Sequence, residues 1–152
     1  MRAARRVPFW YVGTALVSMM ACIGSKPVLE QVSPTIPGAK FKMIATIAAD
    51  DAGPSLSMTA TVRQTLNDSG WTAVPRAGRW EAAATAIMDV CADAGTDGVL
   101  VVAYDRLELT DCASQRPAYR IDASYERGVG LTEMTKRLMR YLRGEPTTRP
   151  PR

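Results

Sequence analysis

The residues that could do chemistry are few, and their types exclude more than they suggest. The chain has three cysteines and no histidine. Without imidazole there is no Ser-His-Asp or Cys-His nucleophilic site and no histidine-based zinc site. The cysteines stand at 22, 91 and 112 and form no C-x-x-C pair, so thiol-redox chemistry has no motif. No G-x-S-x-G or phosphate loop occurs, and Gly128-Val129-Gly130 lacks the third glycine of a dinucleotide loop and reads as a turn. Asp93-Ala94-Gly95-Thr96-Asp97-Gly98 faintly resembles a calcium loop. Its third position is Gly, however, and its twelfth, Tyr104, brings no carboxylate. Asp89, Asp93 and Asp97 are four apart and read as the wet face of a helix. A paired-carboxylate hydrolase needs two carboxylates converging about 5–9 Å apart, and no spacing here points to that. The expectation is a protein that is not an enzyme and has no catalytic residue, metal or cofactor.

Cys22 differs from the other two in where it sits. A basic start, Arg2, Arg5 and Arg6, precedes an uncharged apolar run from Val7 to Ala21. That run is shorter than the roughly 20 apolar residues of an ordinary spanning helix and has the form of a secretory signal over residues 1–21. Its end, Met19-Met20-Ala21-Cys22, resembles the lipobox of bacterial lipoproteins, with Met20 bulkier than the small residue common at that place. The resemblance implies that Cys22 becomes the lipidated first residue of the mature chain, palmitate being a fitting label. One acyl chain holds a protein only marginally and two or three hold it firmly. Ile23 follows the Cys. In the Gram-negative lipoproteins, Asp there signals inner-membrane retention, so the resemblance implies a lipid-anchored protein on the periplasmic face of the outer membrane.

Export changes the reading of charge. The whole chain carries +4, but loss of Arg2, Arg5 and Arg6 leaves a mature chain of about +1, with no case for nucleic acid as a partner. What remains is uneven. Residues 22–135 sum to about −4. Residues 136–152 hold Lys136, Arg137, Arg140, Arg143, Arg149 and Arg152 against Glu145 alone. Lys136, Arg137, Arg140 and Arg143 are therefore a candidate partner contact, set against the plainer reading of a solvated helix face.

Behind these residues the chain divides simply. Residues 22–39, with Pro27, Pro34, Pro37 and Gly38, show no strand or helix period and read as the lipidated Cys and a tether. Residues 145–152, with Pro146, Pro150 and Pro151, read as a disordered tail. Between them, 40–144 is long enough for one real core. Phe41 to Ala48 reads as a buried strand. Leu56 to Ser69 is a helix with Met58, Val62 and Leu66 on one face and Gly70 past its end. Trp71 to Val74 is a short strand before Pro75. Arg79 to Ala94 is a helix with Ala83, Ile87, Val90, Cys91 and Ala94 on its apolar face. Gly98 opens the most apolar strand, continuing to Leu109. Tyr119, Ile121, Ala123 and Tyr125 alternate with polar residues as a half-buried antiparallel strand does. Leu131 to Arg143 is a helix with Leu131, Met134, Leu138 and Leu142 inward and its four cations outward. The fold class is α/β (α+β), one small domain of order β-α-β-α-β-β-α with a mixed sheet.

On that order Cys91 and Cys112 form a possible disulfide, which export would permit. A straight strand of ten residues from Val99 covers roughly 33 Å and would carry Cys112 far past Cys91, beyond the 7 Å or so that a disulfide tolerates between Cα atoms. A sharp bend after Asp105 would bring them together. Otherwise Cys91 is a small buried hydrophobe.

The same order, with the phrases Leu66-Asn67-Asp68-Ser69-Gly70-Trp71, Ala94-Gly95-Thr96-Asp97-Gly98-Val99-Leu100-Val101-Val102 and Leu131-Thr132-Glu133-Met134-Thr135-Lys136-Arg137-Leu138, resembles the amino-terminal domain of TolB and related periplasmic lipoproteins. These serve curli secretion, activation of penicillin-binding proteins and exopolysaccharide export. Ile47-Ala48-Ala49-Asp50 departs from the family's usual ending of the first strand. The resemblance implies a non-enzymatic envelope scaffold or assembly partner, contacting an unknown envelope protein or further copies of itself. The alternative is a periplasmic binding domain for a cell-wall or polysaccharide ligand.

Overall fold

The computed structural model describes residues 29–50, 52–76, 83–123 and 129–146. Among these residues six strands form one mixed sheet. They are β1 (Leu29–Val32), β2 (Met43–Ala48), β3 (Thr72–Pro75), β4 (Gly98–Val102), β5 (Arg106–Asp111) and β6 (Arg116–Asp122). Their spatial order is β1-β6-β5-β4-β2-β3, with β4-β2-β3 parallel and the other pairings antiparallel. Three helices among the described residues cover it: α1 (Gly53–Asp68), α2 (Ala83–Cys91) and α3 (Leu131–Leu142).

The sequence pattern explains which strands are covered on both faces. All five residues of β4 are buried, as are Ile44 to Ala48 of β2. A strand covered on both faces loses alternation and becomes a continuous apolar run. On one face, Val62 and Leu66 of α1 and Met134, Leu138 and Leu142 of α3 join Ile44, Leu100, Leu107, Leu109 and Ile121 in the main core. On the other, Ile87 and Val90 of α2 pack with Ala45, Ile47 and Val99. α1 begins with Pro54 in its first turn and ends at Gly70, whose φ of 96° is the left-handed conformation that a helix C-terminus needs. The amide of Trp71 then closes on the carbonyl of Leu66.

The fold class and single small domain agree with the sequence reading. Two features of the order do not. Residues 29–40, read as tether, belong to the folded body. β1 pairs with β6, Ser33 continues that pairing with Ala118, and Gly38–Lys40 makes a short 3-10 turn. An edge strand makes backbone hydrogen bonds on one side only and needs no long apolar run, so Leu29-Glu30-Gln31-Val32 left little periodicity to read. The expected long strand from Val99 to Leu109 is instead a hairpin, turned at Ala103–Asp105 and closed by the Ala103 amide on the Arg106 carbonyl. No Gly, Pro or Asn marks that turn. A smaller difference concerns Ala94, which is exposed in the turn after α2 rather than on its apolar face.

Candidate functional site

The four cations of α3 and its C-cap do not form a single outward stripe. Lys136 and Arg140 are exposed and have no acidic partner among the described residues. Arg137 is drawn inward: its Nε donates to Glu133 one turn back at 3.0 Å, and a terminal nitrogen lies 4.0 Å from Glu30 of β1. Arg143 sits over the Trp71 ring, 5.7 Å from its centroid, and 3.9 Å from Glu145. The candidate contact thus contains two freely presented charges and two already engaged.

Arg137 leads into a buried polar clasp. The Tyr119 hydroxyl donates to Glu30 at 2.9 Å. The ring of Tyr119 stacks on Tyr141, with centroids 5.1 Å apart, and the Tyr141 hydroxyl donates to the Ile36 carbonyl at 2.7 Å. Burial, aided by the neighbouring Glu30 charge, holds the Tyr119 phenol well above its ordinary value. Burial, and then the charge of Asp111, pushes Tyr141 up to about 12. Both phenols are therefore neutral donors: Tyr119 of β6 holds β1 through Glu30, and Tyr141 of α3 holds the segment at Ile36. Burial raises the carboxyl of Asp111, but contacts with Lys40 and Ser114 outweigh this and hold it below the usual carboxylate range. Lys40 Nζ stands 2.5 Å from Oδ1, off a good hydrogen-bond angle, so that contact is chiefly an ion pair. Ser114 donates to Oδ2 from both its amide (3.0 Å) and its hydroxyl (2.6 Å).

Cys91 and Cys112 are bonded, with Cα atoms 5.1 Å apart. The hairpin at Ala103–Asp105 returns β5 along β4 until Asp111 stands opposite Gly98, and Cys112 follows beside the end of α2. The straight strand that would have separated the two thiols does not exist. Cys22 lies outside the described residues. The faint calcium loop is occupied by other work. Asp97 accepts the amides of Lys42 and Met43 at 2.7 and 2.8 Å, and Asp93 pairs with Arg76. Among the described residues no group of three His, Cys, Asp or Glu side chains could hold a metal, and no helix is long and apolar enough to cross a membrane.

The clasp was not anticipated, although part of it was readable. Tyr141 follows Met134 and Leu138 at helical spacing, which places it on the inward face with them. Glu30 and Tyr119 are 89 residues apart, and nothing local links them. Beside the clasp, a groove of about 830 Å³ runs between residues 30–38 and the end of α3, lined by Glu30, Ser33, Pro37, Tyr141 and Glu145 among others.

No family model matches the chain, and no curated protein does. Among solved structures, a PelC dodecamer from Paraburkholderia phytofirmans resembles it with 15% identity and a TM-score of 0.43, over 81% of this chain and 99% of that one. A likeness that loose assigns this chain neither a role nor an assembly.

Proposed function

We propose that this chain is a non-enzymatic envelope lipoprotein, held to the periplasmic face of the outer membrane through acylated Cys22, that scaffolds a partner through α3. The carrying observation is the charge arrangement on that helix. Its inner face is wholly engaged in the core, while Lys136 and Arg140 are presented without counter-charge among the described residues. Unpaired exposed cations on a rigid helix steer and orient an acidic surface. The body of the chain is itself acidic, so a second copy is one such surface. The Cys91–Cys112 bond suits an oxidising compartment. A catalytic role has little support. Among the described residues, the titratable groups most altered by their surroundings, Asp111, Tyr119 and Tyr141, are all engaged in holding residues 29–40 in place.

The test is particle size by light scattering at low and high salt, for the wild type and for Lys136→Glu with Arg140→Glu. Arg137 is left alone, because Glu there would face Glu30 and Glu133. The expected outcome is association of the wild type that weakens with salt and with charge reversal, at unchanged melting temperature. A wild type that is monomeric at every concentration and salt level would remove the self-association form and restrict the partner to another envelope protein. The groove beside Tyr141 favours a second reading, a polysaccharide-binding domain. Binding of cell-wall oligosaccharides that is lost in a Tyr141 variant would support it over the first.

A further inference from the structure

Five large hydrophobic side chains are exposed among the described residues: Leu29, Val32, Leu56, Met88 and Tyr104. Three of them share one end of the sheet. Leu29, 45% exposed, opens β1 opposite Asp122, the last residue of β6. Asp122 in turn pairs with Arg106, the first residue of β5, so the β4–β5 turn is at the same end. Tyr104 is in that turn and is 80% exposed. Ala48, which ends β2, pairs with Val102, which ends β4, and the chain passes from there into the first turn of α1, where Leu56 is 53% exposed. From β1 to β2 is four strand spacings, so Leu29 and the end of β2 that leads into α1 are about 20 Å apart across this end.

The chain enters the fold at this same end. From Cys22 to Leu29 is seven residues, which at full extension cover about 24 Å. A strand the length of β6 is itself about 23 Å long. To seat the opposite end of the domain on a bilayer, the whole of that segment would have to run the length of the sheet.

We propose that this end, carrying Leu29, Leu56 and Tyr104, is a membrane-docking face that seats the domain upright on phospholipid, and the proposal rests on the acylation of Cys22. An aromatic with a polar tip at the point of a hairpin suits the headgroup level of a bilayer. The individual contacts are weak, but a short tether keeps the face at high effective concentration beside the surface. The end also carries Asp50, exposed, and the half-buried Asp105 and Asp122, with Arg106 among them. Asp50 and Asp105 disfavour an anionic surface, while Asp122 is paired with Arg120, so the occupant is zwitterionic phospholipid. α3 begins at this end and finishes at the other, beside Gly38–Lys40. Docking therefore leaves Arg140 turned away from the membrane, toward a partner.

The experiment uses the full mature lipoprotein in vesicles of phosphatidylethanolamine and phosphatidylcholine doped with a lipid that carries a photoreactive acyl chain. Adducts are mapped by peptide mass, and the N-terminal peptide in the same spectra reports acylation. Expected are adducts at Leu29, Leu56 and Tyr104 that persist at high salt. They should be lost in Leu56→Asp with Tyr104→Asp while acylation and melting temperature hold. An acylated N-terminus with adducts absent from this end, or placed on 136–143, would overturn the docking face and leave the anchor standing. An unacylated N-terminus without such adducts would overturn both.

Discussion

Asp111 has its side chain 2% exposed, bonded to Ser114 and paired with Lys40. Neutralising it leaves the Lys40 charge beside a weaker partner, at a cost of about 1–3 kcal/mol. Its folded carboxyl titrates below the unfolded one. The stabilisation is therefore complete above the unfolded value of about 3.9 and disappears as pH falls through the lower folded value. Asp111→Asn should lower the melting temperature at neutral pH, with the gap to wild type closing below about pH 4. Thermal melts across that range check it, and a gap independent of pH would show that Asp111 acts through packing alone. The disulfide belongs to the same scale. It closes a loop of 21 residues, and a loop of that size stabilises by about 2–4 kcal/mol. Titration of the denatured, unreduced protein should find no thiol at 91 or 112, and Cys91→Ser with Cys112→Ser should lose stability in that range.

At the scale of elements, residues 29–40 and α3 form one structural unit although they come from opposite ends of the domain. Gly38 lies directly against the backbone of Tyr141 and Leu142, and a Cβ there would collide with the Tyr141 carbonyl and the Leu142 Cα. Backbone atoms cannot swing aside as a long side chain does, so Gly38→Ala must push the strap away from the helix. The expected cost is on the order of 1–3 kcal/mol, concentrated locally. Amide exchange should quicken over 29–41 and leave β2 and β4 protected. Gly53→Ala is the control, because nothing lies within 4 Å of the position of its Cβ. If both substitutions left exchange over 29–41 unchanged, the strap would not depend on that contact.

Over the whole molecule, the C-terminal cations of α3 and the exposed Leu29, Leu56 and Tyr104 lie toward opposite ends. The strands and helices explain how. α1 and α3 both start at the end that carries Leu29 and Tyr104, and both finish at the end that carries Trp71, Arg143 and Gly38. Cations near a helix C-terminus complement its dipole, a reason internal to the helix for Arg140 in the last turn of α3 and Arg143 at its C-cap. The same placement makes them available to an acidic partner. The salt dependence expected of Lys136 and Arg140 follows from their exposure, since free surface charges are screened beyond about 8–10 Å at ordinary ionic strength. Arg137, half-buried against Glu30 and Glu133, should contribute little to that dependence.

Much of this protein was legible in its residues. Period and length alone placed α1, α3, β2 and β4, because a stripe of apolar side chains at helical spacing or an unbroken apolar run has few other ways to be buried. The absence of histidine excluded whole reaction classes, a matter of composition that no fold can alter. Tertiary structure decided the rest. β1 exists only because β6 offers it a ladder. The turn at Ala103–Asp105 has Asp105 as its one local signal and is imposed by pairing of Gly98–Val102 with Leu107–Asp111, which is also what joins Cys91 to Cys112. Arg137 has Glu133 four residues before it, a pairing its spacing allows, but its place against β1 comes from Glu30, at the other end of the domain. In each case the deciding partner is distant in the chain or set by a distant pairing, where spacing carries no information and only packing brings the groups together.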